Sequence, residues 1–286
     1  PVQPNGSRPP LFLVHGAGGD VLWGYANLAK HLTPDQPIYG IKSRGRLGLE
    51  ELATIEEMAS YYREEIQKFQ PHGPYHLGGY CFGGNVAYEM ARQLQAQGEE
   101  VALLLLIDAT PSNVGYENIP WWNPKYPFRF ARNFSYWLSD FSGLPRRERY
   151  RFFARKSRAI GRKLIGKFQK QNHTVNVDLE DVIDPNHFPE AELKFWQIHL
   201  RALITHVDKP YDGVITLLRT RGQQLLCSLE NDFCWSRLAK GVQVKLIPGS
   251  HENIFMEPHV KSLAQELESC LAGARQPVGK SEEKVV

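Results

Sequence analysis

The sequence predicts a doubly wound α/β fold, a mostly parallel sheet with helices on both faces. Three observations carry this. Short apolar runs alternate with amphipathic stretches; Val101–Ile107 is apolar at every position, as a central parallel strand is; and Gly79-Tyr80-Cys81-Phe82-Gly83-Gly84 joins a strand-like run directly to a helix-like one.

Leu11–Val14 reads as a short buried strand, and His15-Gly16-Ala17-Gly18-Gly19 is too rich in glycine to continue it and leads into a helix. Ile38–Ile41 is the second strand. Ile55–Phe69 has helical spacing at Ile55, Met58, Ala59, Tyr62, Ile66 and Phe69. Pro74–Tyr80 is the strand before the glycine-flanked turn. Asn85–Gln97 follows as a helix with an apolar stripe at Val86, Ala87, Met90, Ala91 and Leu94, ending at Gly98. After Val101–Ile107 come two further strands, Val214–Leu218 and Val242–Ile247, and an amphipathic helix at Val260–Leu271.

This pattern divides the chain into a core of residues 1–112 and 207–272, an insertion at 113–206 and a polar tail at 273–286 expected to be disordered. The insertion has no clear strand and reads as a helical lid over the strand ends. Its aromatic group, Trp121, Trp122, Tyr126, Phe128, Phe130, Phe134, Tyr136 and Trp137, is expected to serve internal packing ahead of lining a channel for an apolar chain. The basic segment Arg146–Lys170 fits a solvated helix face or a docking surface for an acidic partner or phosphate equally well.

With 286 residues, 42% of them hydrophobic, the chain can bury one substantial core. Its longest apolar run is too short to cross a bilayer, and its N-terminus has no basic-then-apolar leader, so neither membrane insertion nor secretion is indicated. Four cysteines, Cys81, Cys227, Cys234 and Cys270, have no metal-ligand spacing and are too few for a disulfide framework, so a reducing cytoplasm is expected. The net charge of +3 says little globally, and nucleic acid is disfavoured because no recognised binding module accompanies the basic segment. The abrupt start, Pro1-Val2-Gln3-Pro4, suggests a domain cut from a longer polypeptide.

The chemistry centres on Cys81. A strand that turns at once into a helix forces the intervening residue into a strained backbone, which requires minimal side chains two positions before and after; Gly79 and Gly83 supply them. The turn lifts the thiol above the sheet edge, near the positive end of the next helix. Alone, such a stretch is equally a buried small residue among glycines. A thiol nucleophile also needs a base, an acid to orient it and donors for the oxyanion. Asp108 ends the strand next to the one leading to Cys81, whereas the other usual acid position, after Leu218, holds Arg219-Thr220-Arg221 and no carboxylate; Asp232 is a distant alternative. His251, in the loop after the last strand, completes the chain order Cys, Asp, His. The oxyanion donors would be the backbone N–H groups of Ala17 and Phe82. His15 is expected to brace its loop, His76 to sit in the core, and His259 to cap or pack a helix.

Together, His15-Gly16-Ala17-Gly18-Gly19, the Gly79–Gly84 elbow, Asp108 and Gly249-Ser250-His251 resemble the terminal thioesterase domains of nonribosomal peptide and polyketide synthases. The resemblance covers most of the chain, the insertion matching only in position and helical character. It implies an α/β-hydrolase fold, an acyl-enzyme on Cys81, no cofactor bound by the domain itself, and a substrate delivered on the phosphopantetheine arm of an acyl or peptidyl carrier domain, upstream in the same polypeptide. Release would be by hydrolysis or cyclisation. Serine is the more frequent nucleophile in that family, so Cys81 is either a natural thiol nucleophile or a replaced serine. A stand-alone editing thioesterase, a cysteine hydrolase of free esters or lactones, and a non-catalytic binding module are the rival readings.

Overall fold

The computed structural model describes residues 1–112, 124–143, 190–222 and 230–274. Six strands, β1 (Leu11–Val14), β2 (Ile38–Ile41), β3 (Tyr75–Tyr80), β4 (Val101–Ile107), β5 (Tyr211–Gly222) and β6 (Ala239–Ser250), form one sheet in the order β2-β1-β3-β4-β5-β6. Every pairing is parallel. The described helices are α1 (Leu22–Ala29), α2 (Ile55–Phe69), α3 (Phe82–Ala96), α4 (Lys125–Gly143), α5 (Glu190–Thr205) and α6 (His259–Gly273).

Strand alternation sorts the core into two layers. On one face Phe12, Val14, Leu104, Leu106 and Leu217 pack with Met58, Tyr62 and Ile66 of α2 and Val86, Met90 and Leu94 of α3. On the other, Leu11, Leu13, Leu103, Leu105 and Leu218 pack with Tyr25 and Leu28 of α1 and Val260, Leu263 and Leu267 of α6. The sheet is therefore doubly wound. Because β2 and β3 flank β1 on opposite sides, the loops leaving β1 and β3 diverge, opening the crevice at the carboxyl edge where such sheets place their sites.

The bounds of β1, β2, α2 and β4 coincide with the apolar patterns that predict them, and α2 begins with a capping box in which Thr54 and Glu57 satisfy each other's backbone N–H groups. Strands β5 and β6 run longer than predicted, pairing from Tyr211↔Ala239 to Gly222↔Ser250, because backbone pairing continues past the point where the apolar run ends. Helix α3 begins at Phe82, three residues before the predicted start at Asn85. Gly83 and Gly84 mask its first turn in the sequence, yet both are there for close approach: a Cβ on Gly84 would collide with Ala109.

Between β4 and β5 the described residues hold α4 and α5 and no strand. The basic segment Arg146–Lys170, Trp121, Trp122 and Cys227 lie outside the described residues, as do 275–286; Gly273, placed in the tail by the sequence pattern, is the last residue of α6. The packing expectation fails for Phe128, Phe130 and Phe134, which are exposed. Phe130 and Phe134 stack on each other, with ring centres 6.3 Å apart, while Arg132 donates to Asn231 and the Arg221 guanidinium lies 5.8 Å from the Tyr136 ring centre. Among the described residues no helix is long and apolar enough to cross a membrane.

Candidate active site

The loops after β1, β3, β4 and β6 bring the predicted residues to one edge of the sheet. Cys81 sits between β3 and α3 with φ 54° and ψ −121°, a conformation rarely adopted by a residue with a side chain. The flanking glycines make it attainable. A Cβ on Gly79 would fall on the Gly83 backbone, and one on Gly83 would lie 2.5 Å from the Val14 carbonyl oxygen. The Cys81 N–H is anchored to the Ile107 carbonyl at 3.0 Å, tying the elbow to β4.

Asp108 leaves β4 with φ 48°, its N–H bonded to the Leu218 carbonyl at 2.8 Å. Its buried carboxylate accepts from the Thr220 N–H at 2.8 Å and from the Thr220 hydroxyl at 2.9 Å, and the His251 Nδ1 lies 2.7 Å from Oδ2. Although burial opposes ionisation, these bonds hold the carboxyl below its ordinary pKa, with His251 contributing most. Nδ1–H thus donates to Asp108, leaving the other ring nitrogen for the neighbouring Cys81 thiol. Desolvation works against charge on this ring, but Cys81 and Asp108 together raise its pKa well above the ordinary histidine value. The Tyr80 hydroxyl donates to the His251 carbonyl, and the Tyr80 ring stacks on the imidazole with centres 4.7 Å apart.

The backbone N–H groups of Ala17 and Phe82 face no acceptor within the fold among the described residues. His15 braces its loop as expected, with Nδ1 2.7 Å from the Gly16 carbonyl and Nε2 2.7 Å from the Tyr62 hydroxyl; burial and the neighbouring His199 lower its pKa to about 3, so it stays neutral. His76 is buried within β3, and His259 opens α6 against Gly249. Asp232 is no rival to Asp108, because its carboxylate caps a turn through the N–H groups of Cys234 and Ser236.

Sequence reasoning missed Thr220, Tyr80 and His199. Thr220 lies in β5 just after Leu218, at the alternative acid position, where a hydroxyl gives no signal of its own in the sequence. Tyr80 is adjacent to Cys81 but acts on a loop at the other end of the chain. His199 lies in the insertion, with Nδ1 2.6 Å from the Ala17 carbonyl.

The parallel sheet, the elbow and the loops around it define an α/β-hydrolase fold. Within it, residues 9–119 match the Thioesterase domain family model. Malpibaldin synthetase of Mortierella alpina is 50% identical over 111 residues, 38% of this chain and 2% of the synthetase, so the matched part is a small fraction of that relative's length. Among solved structures, holo-AB3403, a four-domain nonribosomal peptide synthetase bound to AMP and glycine, is 28% identical with a TM-score of 0.62, covering 93% of this chain and 20% of its own. The NocB thioesterase domain in covalent complex with a fluorophosphonate nocardicin G analogue is 25% identical with a TM-score of 0.58, covering 93% of this chain and 96% of that one.

Proposed function

We propose that this chain is a thioesterase that releases an acyl, peptidyl or polyketide chain from the phosphopantetheine thioester of a carrier domain. The observation that carries the reading is the hydrogen-bonded series from Thr220 through Asp108 to His251, with Cys81 at the strained elbow as the imidazole's electrostatic neighbour. The similarity to synthetases and to a thioesterase domain supports the carrier-bound substrate.

In this mechanism Cys81 is the nucleophile, His251 the base and Asp108 the group that orients and charge-balances the imidazole. The thiolate attacks the thioester carbonyl while the thiol proton resides on His251. The resulting oxyanion accepts hydrogen bonds from the Ala17 and Phe82 N–H groups. Collapse breaks the carbon–sulfur bond to the arm, whose sulfur takes the proton from His251. Water, or a hydroxyl or amine of the bound chain, then gives a proton to His251 as it attacks the acyl-enzyme, and Cys81 leaves as product forms by hydrolysis or cyclisation. Loading exchanges one thioester for another, so the intermediate stays as activated as the substrate.

The test compares Cys81 acylation from a carrier-bound acyl group with that from a small ester of the same acid. Preference for the carrier-bound donor supports the proposal. Equal or better use of the free ester would favour a cysteine hydrolase of esters or lactones, and a thiol probe that fails to label Cys81 in preference to Cys227, Cys234 and Cys270 would favour a binding module.

A further inference from the structure

The glycine loop after β1 has four successive carbonyls, and each is held. Gly16 accepts from His15 Nδ1 at 2.7 Å and from the Gly19 N–H at 2.9 Å. Ala17 accepts from His199 Nδ1 at 2.6 Å, Gly18 from Arg46 Nε at 3.1 Å and Nη2 at 2.9 Å, and Gly19 from the Ser43 N–H at 3.1 Å. In a trans peptide a carbonyl fixes the N–H of the residue that follows, so the held Gly16 carbonyl aims the Ala17 N–H, while the Ala17 carbonyl held by His199 fixes the next peptide and pins Ala17 from its other side. Apart from His199, the holding groups come from the loop itself, His15 and the Gly19 N–H, and from the segment after β2, Ser43 and Arg46. His199 comes from α5, 182 residues beyond Ala17.

His199 is completely buried and reaches both sides of the proposed oxyanion hole. Its Nδ1 holds the Ala17 carbonyl, and its ring stacks on Phe82 with centres 4.8 Å apart. Beyond it, Nε2 lies 3.8 Å from the buried Glu51 carboxylate, which also accepts from the Gly45 and Leu52 N–H groups. Neighbouring α5 residues complete the seat: the Trp196 indole faces Gly18, and the Phe195 ring lies beneath the Arg46 guanidinium at 5.0 Å.

We propose that His199 is a positioning residue through which α5, docked on the glycine loop, sets the Ala17 and Phe82 sides of the oxyanion hole, so that the hole is complete only with this helix seated. The proposal rests on the Cys81 acylation reading above. It ties the inserted helices to catalysis by a specific bond, beyond any role in covering the substrate.

The test uses the full chain as wild type, His199→Leu and His199→Asn, the asparagine amide replacing the Nδ1 donor. Three quantities are read: Cys81 acylation by a short acyl thioester mimic, Cys81 alkylation by iodoacetamide, which forms no oxyanion, and hydrogen exchange in the peptide spanning residues 15–20. The leucine variant should acylate about ten- to a hundredfold more slowly, the scale of a displaced oxyanion donor. Its alkylation should stay near wild type, its loop should exchange faster, and asparagine should restore both acylation and protection. Unchanged acylation in the leucine variant, or acylation and alkylation falling together in both variants, overturns the proposal. If wild type is not acylated at Cys81, the thioesterase reading fails by itself, and exchange decides for His199: protection lost with leucine and restored with asparagine supports loop positioning, whereas unchanged protection overturns it. Should the leucine variant not fold, His199→Gln, which lacks a donor at the Nδ1 position, is read by the same criteria.

Discussion

The two halves of the candidate site are held in different ways. On the triad side, Cys81, Asp108 and His251 stand at the ends of β3, β4 and β6, and their supports, Thr220 and Tyr80, belong to the same sheet. On the oxyanion side, the loop from Gly16 to Gly19 is held by Arg46, Ser43 and a histidine on an inserted helix. Sheet-borne groups inherit their spacing from strand register, whereas the loop depends on whatever docks over it. On the proposed mechanism the difference teaches that the core fold would set nucleophile and base, and the seating of peripheral elements the oxyanion donors.

The largest effect should come from Asp108→Asn, which breaks the triad side while keeping its shape. An amide either presents an N–H to Nδ1 or holds the wrong tautomer, so Cys81 acylation should fall by about 10³- to 10⁴-fold, as in other nucleophile–His–Asp sites, measured by single-turnover mass spectrometry. Less than a tenfold loss would mean that Asp108 does not orient His251. Thr220→Val should come next, costing about tenfold in acylation and about 1–3 kcal/mol in stability, because a buried carboxylate loses a hydroxyl donor. Urea unfolding alongside the rate measures both, and no change in either would remove Thr220 from the support of Asp108. Tyr80→Phe keeps the stacking on His251 and removes its hydroxyl, so the loss should be about fivefold, on the scale of one hydrogen bond of about 1 kcal/mol. A further drop in Tyr80→Leu would separate stacking from bonding, whereas equal rates would show that the ring contributes nothing.

The oxyanion side has its own pH signature. Burial opposes ionisation of Glu51, but His199 and the Gly45 N–H lower its pKa to about 2, against an ordinary value of 4.5. A carboxyl with a depressed folded pKa contributes stability in full above its unfolded value and loses it as pH falls through the folded one. Glu51→Gln should therefore be less stable than wild type at pH 7, with the two stability curves converging between pH 4.5 and 2. Parallel curves across that window would mean that Glu51 is not held as an ion beneath the helix. His15, buried and neutral with its pKa lowered to about 3, adds a loss of stability common to both proteins as pH falls from 6.5 toward 3.

The triad side was largely legible in the sequence because its constraints are local. Gly79 and Gly83 record the strained turn around Cys81, and Asp108 and His251 follow apolar runs whose strand character needs no tertiary information. Its supports were not legible. Thr220 meets Asp108 across 112 residues, and a threonine between two arginines has no pattern of its own. His199 was still less visible, because its role depends on how α5 docks on a loop far away in the chain. The exposed Phe128 and Phe134 show the same limit from the other side, since helical spacing of aromatics announces an apolar face without saying what meets it.

The most direct test of the central claim is intact-mass spectrometry of the protein mixed with a short acyl thioester mimic, comparing wild type with Cys81→Ala and His251→Ala. A single acyl adduct that maps to Cys81, disappears in Cys81→Ala and forms far more slowly in His251→Ala is the expected result. An adduct that persists in Cys81→Ala, or forms at the wild-type rate without His251, would contradict a thiol nucleophile served by this histidine.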